Sequence, residues 1–186
     1  QYQIPYVFSG PVILGVSLNK YLTRLIVSAA GVPVSPGYMI SNPSDIDKCN
    51  LQFTLFIKPV SEGTGKGITE KSVVKTKAEL REMAEWILKR FNQPALVEEY
   101  LPGREFTVGI IGSGNEAVAI GGMEIICKDN LPYSIEYKEN YKEFCKYIPL
   151  GQEVAEECKS VALASWRAIG GVDAGRGKNF TKPKVK

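Results

Sequence analysis

The stretch Lys58-Pro59-Val60-Ser61-Glu62-Gly63-Thr64-Gly65-Lys66-Gly67-Ile68 says most about the fold of this chain of 186 residues. It follows a strand-like apolar run, Phe53-Thr54-Leu55-Phe56-Ile57. Glycines at alternating positions allow positive φ angles and a close approach of the backbone to a ligand. Lysines at both ends add positive charge, and backbone N–H groups of such a loop can bind phosphate oxygens. The stretch predicts a polyphosphate-binding loop after a strand, with a glycine-rich hairpin turn as the alternative.

The loop does not match two common nucleotide-binding patterns. The pattern G-x-x-x-x-G-K-[ST] requires Ser or Thr after the lysine, whereas Gly67 follows Lys66. The pattern G-x-G-x-x-G requires a third glycine one position later than the chain has it. A different phosphate-binding architecture is therefore needed.

A second informative segment is Pro94-Ala95-Leu96-Val97-Glu98-Glu99-Tyr100-Leu101-Pro102-Gly103-Arg104-Glu105-Phe106-Thr107-Val108-Gly109-Ile110-Ile111. An apolar strand leads into two carboxylates, and Glu105 opens a further apolar run that predicts a buried strand. Carboxylates and backbone groups on such a linker can accept hydrogen bonds from an adenine amino group and from ribose hydroxyls. The alternative is that Glu98 and Glu99 are solvated charges at a strand end, as glutamates usually are.

With two further blocks, these segments resemble the ATP-grasp superfamily and, within it, the D-alanine–D-alanine ligase family. The further blocks are Gly31-Val32-Pro33-Val34, after a helix containing Asn19-Lys20-Tyr21-Leu22-Thr23, and Asp173-Ala174-Gly175-Arg176. The resemblance implies an α+β ATP-grasp fold of two lobes with a nucleotide cleft between them, the second lobe being incomplete. Its implied parts are a linker with helices (1–44), a small β-β-α-β lobe (45–102) and a partial large lobe (103–186) with a lid (128–150) and a basic tail (177–186).

The resemblance also implies roles for individual residues. Lys20 and Lys58 resemble the two phosphate-binding lysines of the family. The flexible loop that closes over the phosphates corresponds to Glu62, Gly63, Thr64, Gly65, Lys66 and Gly67.

The remaining roles lie on the linker, the lid and the end of the chain. Glu98 and the backbone of Leu101 resemble the adenine hinge, with Glu99 and Tyr100 as its neighbours. Glu105 resembles the carboxylate that binds ribose. Lys138 resembles the lid lysine that reaches the γ-phosphate, and Arg176 resembles the arginine that stabilises the transferring phosphoryl group. A solvated lysine at position 20 or 138 and a surface arginine at position 176 are the alternatives.

The activity implied by the resemblance is ATP-dependent ligation of a carboxylate to an amine through an acyl phosphate, as in peptidoglycan precursor synthesis. Such phosphoryl transfer relies on positioning and on cation clamps, so the absence of histidine is no obstacle. The implied partners are ATP and a small carboxylate or amino-acid substrate, with a homodimer as a possibility. Mg²⁺ is the cofactor expected for the family.

The sequence departs from the family at several points. Thr64 stands where the family usually has serine, and Glu139 where a lid tyrosine usually follows the lysine. The sequence begins after the point where the family's N-terminal domain ends, and no acidic residue follows Arg176, so we expect this chain to lack that domain and the Mg²⁺ ligands. No metal-binding residue is therefore assigned, and we expect an inactive or incomplete portion of a ligase. A non-catalytic nucleotide-binding module and an ATP-grasp ligase with other amino-acid substrates are the alternatives.

Composition narrows the class of protein. Hydrophobic residues make up 44% and charged residues 23% of the chain, as in globular proteins. The net charge of +3 comes from scattered lysines and predicts no nucleic-acid partner. The absence of a long apolar run or a signal peptide predicts no membrane partner and a cytoplasmic location. Four isolated cysteines and no histidine argue against zinc and against histidine triads, and predict reduced thiols.

Periodicity predicts the principal elements. A helix over residues 17–30 is expected to bury Leu18, Leu22, Leu25, Ile26 and Ala29, and residues 31–43 to cross between elements. Strands are expected near residues 53–58, 67–73, 96–99, 106–111 and 117–126. Thr76-x-x-Glu79 is a capping box that opens a helix to about Phe91. A further helix is expected over residues 152–169.

Overall fold

The computed structural model describes residues 4–128 and 139–180. These residues form five α-helices and eight strands, with short 3-10 helices at Pro43–Lys48, Glu70–Ser72 and Gly114–Glu116. The helices are α1 Pro11–Leu18, α2 Lys20–Ala29, α3 Lys77–Phe91, α4 Tyr141–Phe144 and α5 Gln152–Ala168. The strands are β1 Gly37–Ile40, β2 Leu55–Pro59, β3 Val73–Val74, β4 Ala95–Glu99, β5 Glu105–Ile111, β6 Val118–Cys127, β7 Cys145–Pro149 and β8 Ala174–Phe180.

The first sheet has the strand order β1-β4-β2-β3, and all its pairings are antiparallel. Successive strand residues point to opposite faces of a sheet. On one face, Leu55 and Ile57 of β2 and Val97 of β4 are fully buried against α3. Phe56 and Lys58 therefore lie on the opposite face, away from this core.

The second sheet has the order β7-β6-β5-β8 and is also antiparallel throughout. Phe106, Val108 and Ile110 of β5 are buried against α5, which contributes Cys158, Ala162 and Trp166 to the same core. The alternate residues of β5, which begin with Glu105, lie on the other face. Each sheet thus buries one face beneath one helix, and the mixed architecture of helices and two antiparallel sheets agrees with the predicted fold class.

Helix α3 begins and ends as its sequence predicts. The Oγ1 atom of Thr76 accepts a hydrogen bond from the backbone N–H of Glu79 at 3.2 Å. The Glu79 carboxylate accepts from the N–H of Lys75 at 2.7 Å, one residue before the cap, rather than from Thr76 itself. The helix ends at Asn92, which has a left-handed backbone with φ of 51°. Local capping chemistry therefore sets both ends of this helix.

The prediction for residues 17–30 was wrong in two respects. The helix breaks at Asn19, whose side chain accepts hydrogen bonds from the N–H groups of the first turn of α2. Val27 is the buried residue of α2. All five residues of the predicted inner face are exposed instead: Leu18, Leu22, Leu25, Ile26 and Ala29. An apolar stripe identifies a face of a helix, but not the element that covers it.

Three other segments differ from their predictions. The predicted strand 67–73 shrinks to Val73–Val74, because tight turns and a 3-10 helix occupy the residues before it. Within the predicted crossing segment, Gly37–Ile40 forms β1 and pairs with β4. Residues 177–180 of the predicted basic tail belong to β8, which pairs with β5.

Within the described part of the chain, no single helix has both the length and the apolar character needed to cross a membrane. Helices α1 and α2 satisfy the length and composition criteria only when taken together, and the pair is bent by 100°.

Candidate nucleotide-binding site

Three charged side chains meet on the face of the first sheet opposite α3. Lys58 on β2 forms an ion pair with Glu98 on β4, and Phe56, two residues before Lys58, is the Cα partner of Glu98. The second carboxylate oxygen of Glu98 lies 3.6 Å from Nη1 of Arg24 on α2. The three side chains are only 11–20% exposed. One carboxylate is thus enclosed by two cations in a mostly buried position, where electrostatic interactions are stronger than in water.

Arg24 was not singled out by the sequence analysis. Its Nη2 donates to the backbone carbonyl of Ser35, which holds the guanidinium over β1. A Cβ atom at Gly37 would lie 1.4 Å from Nη1 of Arg24, so this arrangement requires glycine at position 37. The sequence signal was weak: Arg24 lies four residues after Lys20, on the same side of α2.

Lys20 joins α2 to the glycine loop. Its backbone N–H donates to the carbonyl of Val60 at 2.9 Å, and its Nζ donates to the carbonyl of Glu62. The first residue of α2 is therefore held beside the end of β2, next to the loop residues that follow Lys58. The structure brings Lys20 and the loop together, and their shared role in phosphate binding stays a prediction.

The glycine loop consists of two consecutive tight turns. The N–H of Lys66 donates to the carbonyl of Gly63, and the N–H of Ile68 donates to that of Gly65, both at 3.0 Å. Thr64, Gly65 and Gly67 have φ angles of 54°, 88° and 80°. At Gly67 a Cβ would also lie 2.4 Å from Cγ of Pro59. The turn conformation therefore explains Gly65 and Gly67 whether or not a ligand binds.

Glu62 fixes the start of this loop. Its carboxylate accepts from Nε2 of Gln93 at 2.8 Å and lies 3.3 Å from Nζ of Lys66. The Oε1 atom of Gln93 in turn accepts from the N–H of Ser61 at 2.7 Å. Lys66 remains 59% exposed on its turn, whereas Lys58 extends from a strand.

Tyr100 lies on the linker that follows β4 and packs against the first sheet. The N–H of Tyr100 donates to the carbonyl of Thr54 at 3.0 Å, and its ring stacks on Phe56 with centroids 6.3 Å apart. Burial, followed by the negative charge of Glu105, raises the pKa of Tyr100. Leu101 is half-buried on the same linker. Strand alternation places Glu99 on the α3 side of β4, so the structure does not group it with Lys58.

Glu105 contacts a lysine of the predicted basic tail. Lys178 on β8 forms an ion pair with Glu105 on β5. Arg176, two residues before Lys178, lies on the same face of the second sheet and is the Cα partner of Gly109. The pairing of β5 with β8, rather than any local motif, brings these three charged residues onto one face.

Comparison with known proteins shows the family of this chain. The sequence model described as D-ala D-ala ligase C-terminus matches residues 26–184, which is most of the chain. The chain belongs to the D-alanine–D-alanine ligase family. Its resemblance to that family, and its ATP-grasp fold, are thereby confirmed.

Individual ligases support the same assignment. The chain is 31% identical to the D-alanine–D-alanine ligase of Bordetella avium (strain 197N), with 90% of this chain and 52% of the relative aligned. It is 30% identical to that of Gluconobacter oxydans (strain 621H), with 93% and 55% aligned. The chain therefore spans about half the length of these relatives.

Solved structures agree with the fold. The VanG D-Ala:D-Ser ligase from Enterococcus faecalis superimposes with a TM-score of 0.77 at 25% identity, covering 97% of this chain and 53% of that ligase. The D-alanyl-alanine synthetase A from Vibrio cholerae O1 biovar eltor str. N16961 gives a TM-score of 0.78 at 20% identity, covering 99% and 57%.

The family's Mg²⁺ does not fit the residues that the structure describes. Within 4–128 and 139–180, no three acidic, histidine or cysteine side chains cluster in a way that could hold a metal ion. The Glu124 carboxylate is engaged by Arg104, at 2.7 Å from Nε and 2.6 Å from Nη2. Asp173 accepts from the N–H of Phe8 at 2.9 Å and fixes a turn before β8. Lys138, the predicted lid lysine, lies outside the described residues.

Proposed function

We propose that this chain is the nucleotide-binding portion of an ATP-dependent ligase that joins D-alanine to D-alanine or to a similar amino acid. ATP would phosphorylate a carboxylate, and an amine would then displace phosphate from the acyl phosphate. The observation that carries the proposal is the group of Lys58, Arg24 and Glu98 on one face of the first sheet, with the glycine loop at the end of β2. Family membership supplies the reaction class.

In this proposal Lys58 and Lys20 bind phosphate oxygens. Lys58 is ion-paired with the Glu98 carboxylate, and Lys20 donates to the Glu62 carbonyl. In each case phosphate oxygens can take the place of the oxygen that now accepts from the ammonium group. Arg24 would hold the Glu98 carboxylate in place when Lys58 turns towards the nucleotide. Glu98 would then accept from the adenine amino group, beside the backbone of Leu101.

The second sheet would contact the rest of the nucleotide. We propose that Glu105 accepts from the ribose hydroxyls and that its partner Lys178 contributes positive charge near the phosphates. Arg176 on the same face would stabilise charge on the transferring phosphoryl group. The division into a small lobe, a large lobe and a lid that carries Lys138 remains part of this proposal, as do the cytoplasmic location and a possible homodimer.

The names of the relatives and the loop residue Thr64 bear on the amino-acid substrate. Relatives are named for joining D-alanine to D-alanine, and a structural neighbour is named a D-Ala:D-Ser ligase. Thr64 stands in the loop where the family usually has serine, at a φ of 54°. We therefore propose a D-amino acid as the carboxylate substrate and leave the attacking amine open between D-alanine and related amino acids.

A second candidate function is nucleotide binding without ligation. It is favoured by the missing cluster of metal ligands among the residues described. Phosphoryl transfer by ligases and kinases depends on metal ions that neutralise the phosphates. The two candidates share the same nucleotide site.

Two measurements separate these candidates. The first is titration calorimetry of ATP with the purified chain, which should detect binding. In Lys58→Ala the affinity for ATP should fall by about tenfold or more, because charge-assisted contacts are lost. Phosphate release from ATP is then measured in the longest gene product that contains this sequence, with and without D-alanine. Release that depends on D-alanine supports the ligase, binding without release supports the module, and no binding overturns both.

A further inference from the structure

Two cysteines face each other at the end of the second sheet. Cys127 ends β6 and Cys145 begins β7, and the two residues are direct Cα partners in the antiparallel ladder. Their Sγ atoms lie 3.3 Å apart, and neither cysteine is part of a disulfide. We infer that Cys127 and Cys145 form a reversible dithiol–disulfide site, oxidised by small-molecule disulfides such as oxidised glutathione.

The backbone geometry suits such a bond. Opposite residues of an antiparallel ladder have Cα atoms about 4.5–5.5 Å apart, within the span of about 4.4–6.8 Å found for disulfides. The two sulfur atoms need to approach by roughly 1.3 Å to reach the bond length of about 2.05 Å. Side-chain rotation can supply this movement while the strands remain paired.

The chemistry balances as a two-step exchange. The thiolate of one cysteine attacks the small disulfide, forms a mixed disulfide and expels one small thiolate. The second cysteine then attacks the protein sulfur of that mixed disulfide and expels the second small thiolate. The two cysteine protons end on the two released thiols. The cysteine pair loses two electrons, and the small disulfide gains them.

The environment of the pair sets the speed of this exchange. Burial, followed by the hydrogen bond and charge of Cys145, raises the pKa of the Cys127 thiol to about 12. The carboxylate of Glu105 contributes to this increase, and the ammonium of Lys178 opposes it. Because the thiolate is the attacking species, oxidation is expected to be slow near neutral pH and faster in mild alkali.

A disulfide here would tie together the two ends of residues 128–144. The pair is the last rung of the β6–β7 ladder, so all the intervening chain lies within the closed loop. Alternation along β6 also puts Cys127 on the same face as Ile125, the Cα partner of Glu105. The site therefore lies on the face of the second sheet that carries the proposed ribose contact, although it does not depend on that proposal.

The test is to oxidise the native chain and to identify by mass spectrometry which cysteines become joined. The reduced protein is incubated with oxidised glutathione in mild alkali, unfolded in excess N-ethylmaleimide, digested with trypsin and examined by mass spectrometry. Trypsin cleaves after Lys128 and Lys142, so the Cys127 and Cys145 peptides stay joined only by a disulfide. We expect these two peptides to be joined, and alkylatable thiols to fall from the four present to two, with all recovered after dithiothreitol.

Matched variants and an unfolded control complete the experiment. Cys127→Ser should abolish the joined peptide, whereas Cys49→Ser should leave it unchanged. The wild-type chain in urea serves as the control for the oxidant, so the result does not depend on whether a variant folds. The inference is overturned if the unfolded chain forms disulfides while the native pair stays alkylatable, if glutathione adducts persist, or if the two cysteines join only between separate chains.

Discussion

At the scale of single residues, Lys58 and Lys66 differ in how firmly the backbone holds them and in how much of each side chain is exposed. Lys58 extends from β2 and is mostly buried, whereas Lys66 lies on a tight turn and is 59% exposed. An exposed, mobile side chain loses more conformational entropy when it binds. The position of each lysine, rather than its charge, therefore decides how much it can contribute to binding.

We predict that Lys58→Ala weakens ATP binding more than Lys66→Ala does. The expected loss is about tenfold or more for Lys58 and a few-fold for Lys66, because the buried contact is both stronger and better ordered. Titration calorimetry with both variants gives the comparison, and circular dichroism confirms that each is folded. Equal losses for the two variants would mean that the strand position confers no advantage.

A second residue-scale prediction concerns Gly67. The substitution Gly67→Ala places a Cβ 2.4 Å from Cγ of Pro59, at a φ of 80°. Backbone strain and this overlap should lower the free energy of unfolding by about 1–3 kcal/mol. Gly63→Ala is the matched control, because its nearest neighbour would be Cδ1 of Leu18 at 4.0 Å. Urea denaturation of both variants tests this, and equal stabilities would contradict the turn geometry.

At the scale of elements, α3 shows how local chemistry and packing combine. Its apolar residues Leu80, Met83, Ala84 and Ile87 cover the first sheet, and Thr76 caps its first turn. On its outer side Asp47 forms ion pairs with Lys77 and Arg81 at 3.0 and 2.9 Å. The exposed pairs add little to stability, so the buried face and the cap hold this element in place.

We predict that Thr76→Ala lowers the free energy of unfolding by about 1 kcal/mol, the usual cost of losing an N-cap. The substitution removes the oxygen that accepts from the N–H of Glu79. Thr76→Ser keeps that oxygen and should retain most of the stability. Thermal and urea denaturation measure both variants, and a Ser variant as unstable as the Ala variant would exclude the cap as the cause.

At the scale of the whole molecule, ion pairs couple stability to pH. Hydrogen bonds from Lys48 and from Lys77 lower the pKa of Asp45 and of Asp47 respectively, and Arg104 lowers the pKa of Glu124. A carboxyl group whose folded-state pKa is lowered stabilises the fold above its unfolded pKa. That contribution is lost as the pH falls through the folded-state pKa.

We therefore predict that the urea midpoint falls as the pH is lowered from about 5 to about 3, the range in which carboxyl groups take up protons. In Glu124→Gln the decrease should be smaller, because one titrating pair is absent. Glu116→Gln changes an exposed carboxyl on the turn before β6 and serves as the control. A decrease of the same size in all three proteins would show that the Arg104–Glu124 pair does not contribute.

Much of the local structure was predictable from the sequence. The capped helix α3, the strands β2 and β4 and the long helix α5 follow from apolar periodicity and capping residues, which act within a few residues of each other. The tight glycine loop after β2 was predictable for the same reason. The extent of β3 was not, because successive turns replace a strand that its apolar residues had suggested.

The candidate site was only partly predictable. Lys58, Glu98 and Glu105 were singled out from their places at strand ends, and their proposed roles remain predictions. Arg24 and Lys178 were not, because each reaches its carboxylate through packing between distant segments. The spacing from Lys20 is only a weak signal for Arg24, and no local pattern distinguishes Lys178 from a solvated cation.

By itself, the sequence determined the family, the order of most elements and the ends of those with clear capping or turn residues, since these depend on short-range chemistry. Only the tertiary structure decided which cations meet Glu98 and Glu105, that residues 37–40 and 177–180 join the sheets, and which face of α2 is buried. Each of these outcomes depends on strand register or on contact between distant segments. Such contacts arise from the packing of the whole chain, so a local pattern cannot specify them.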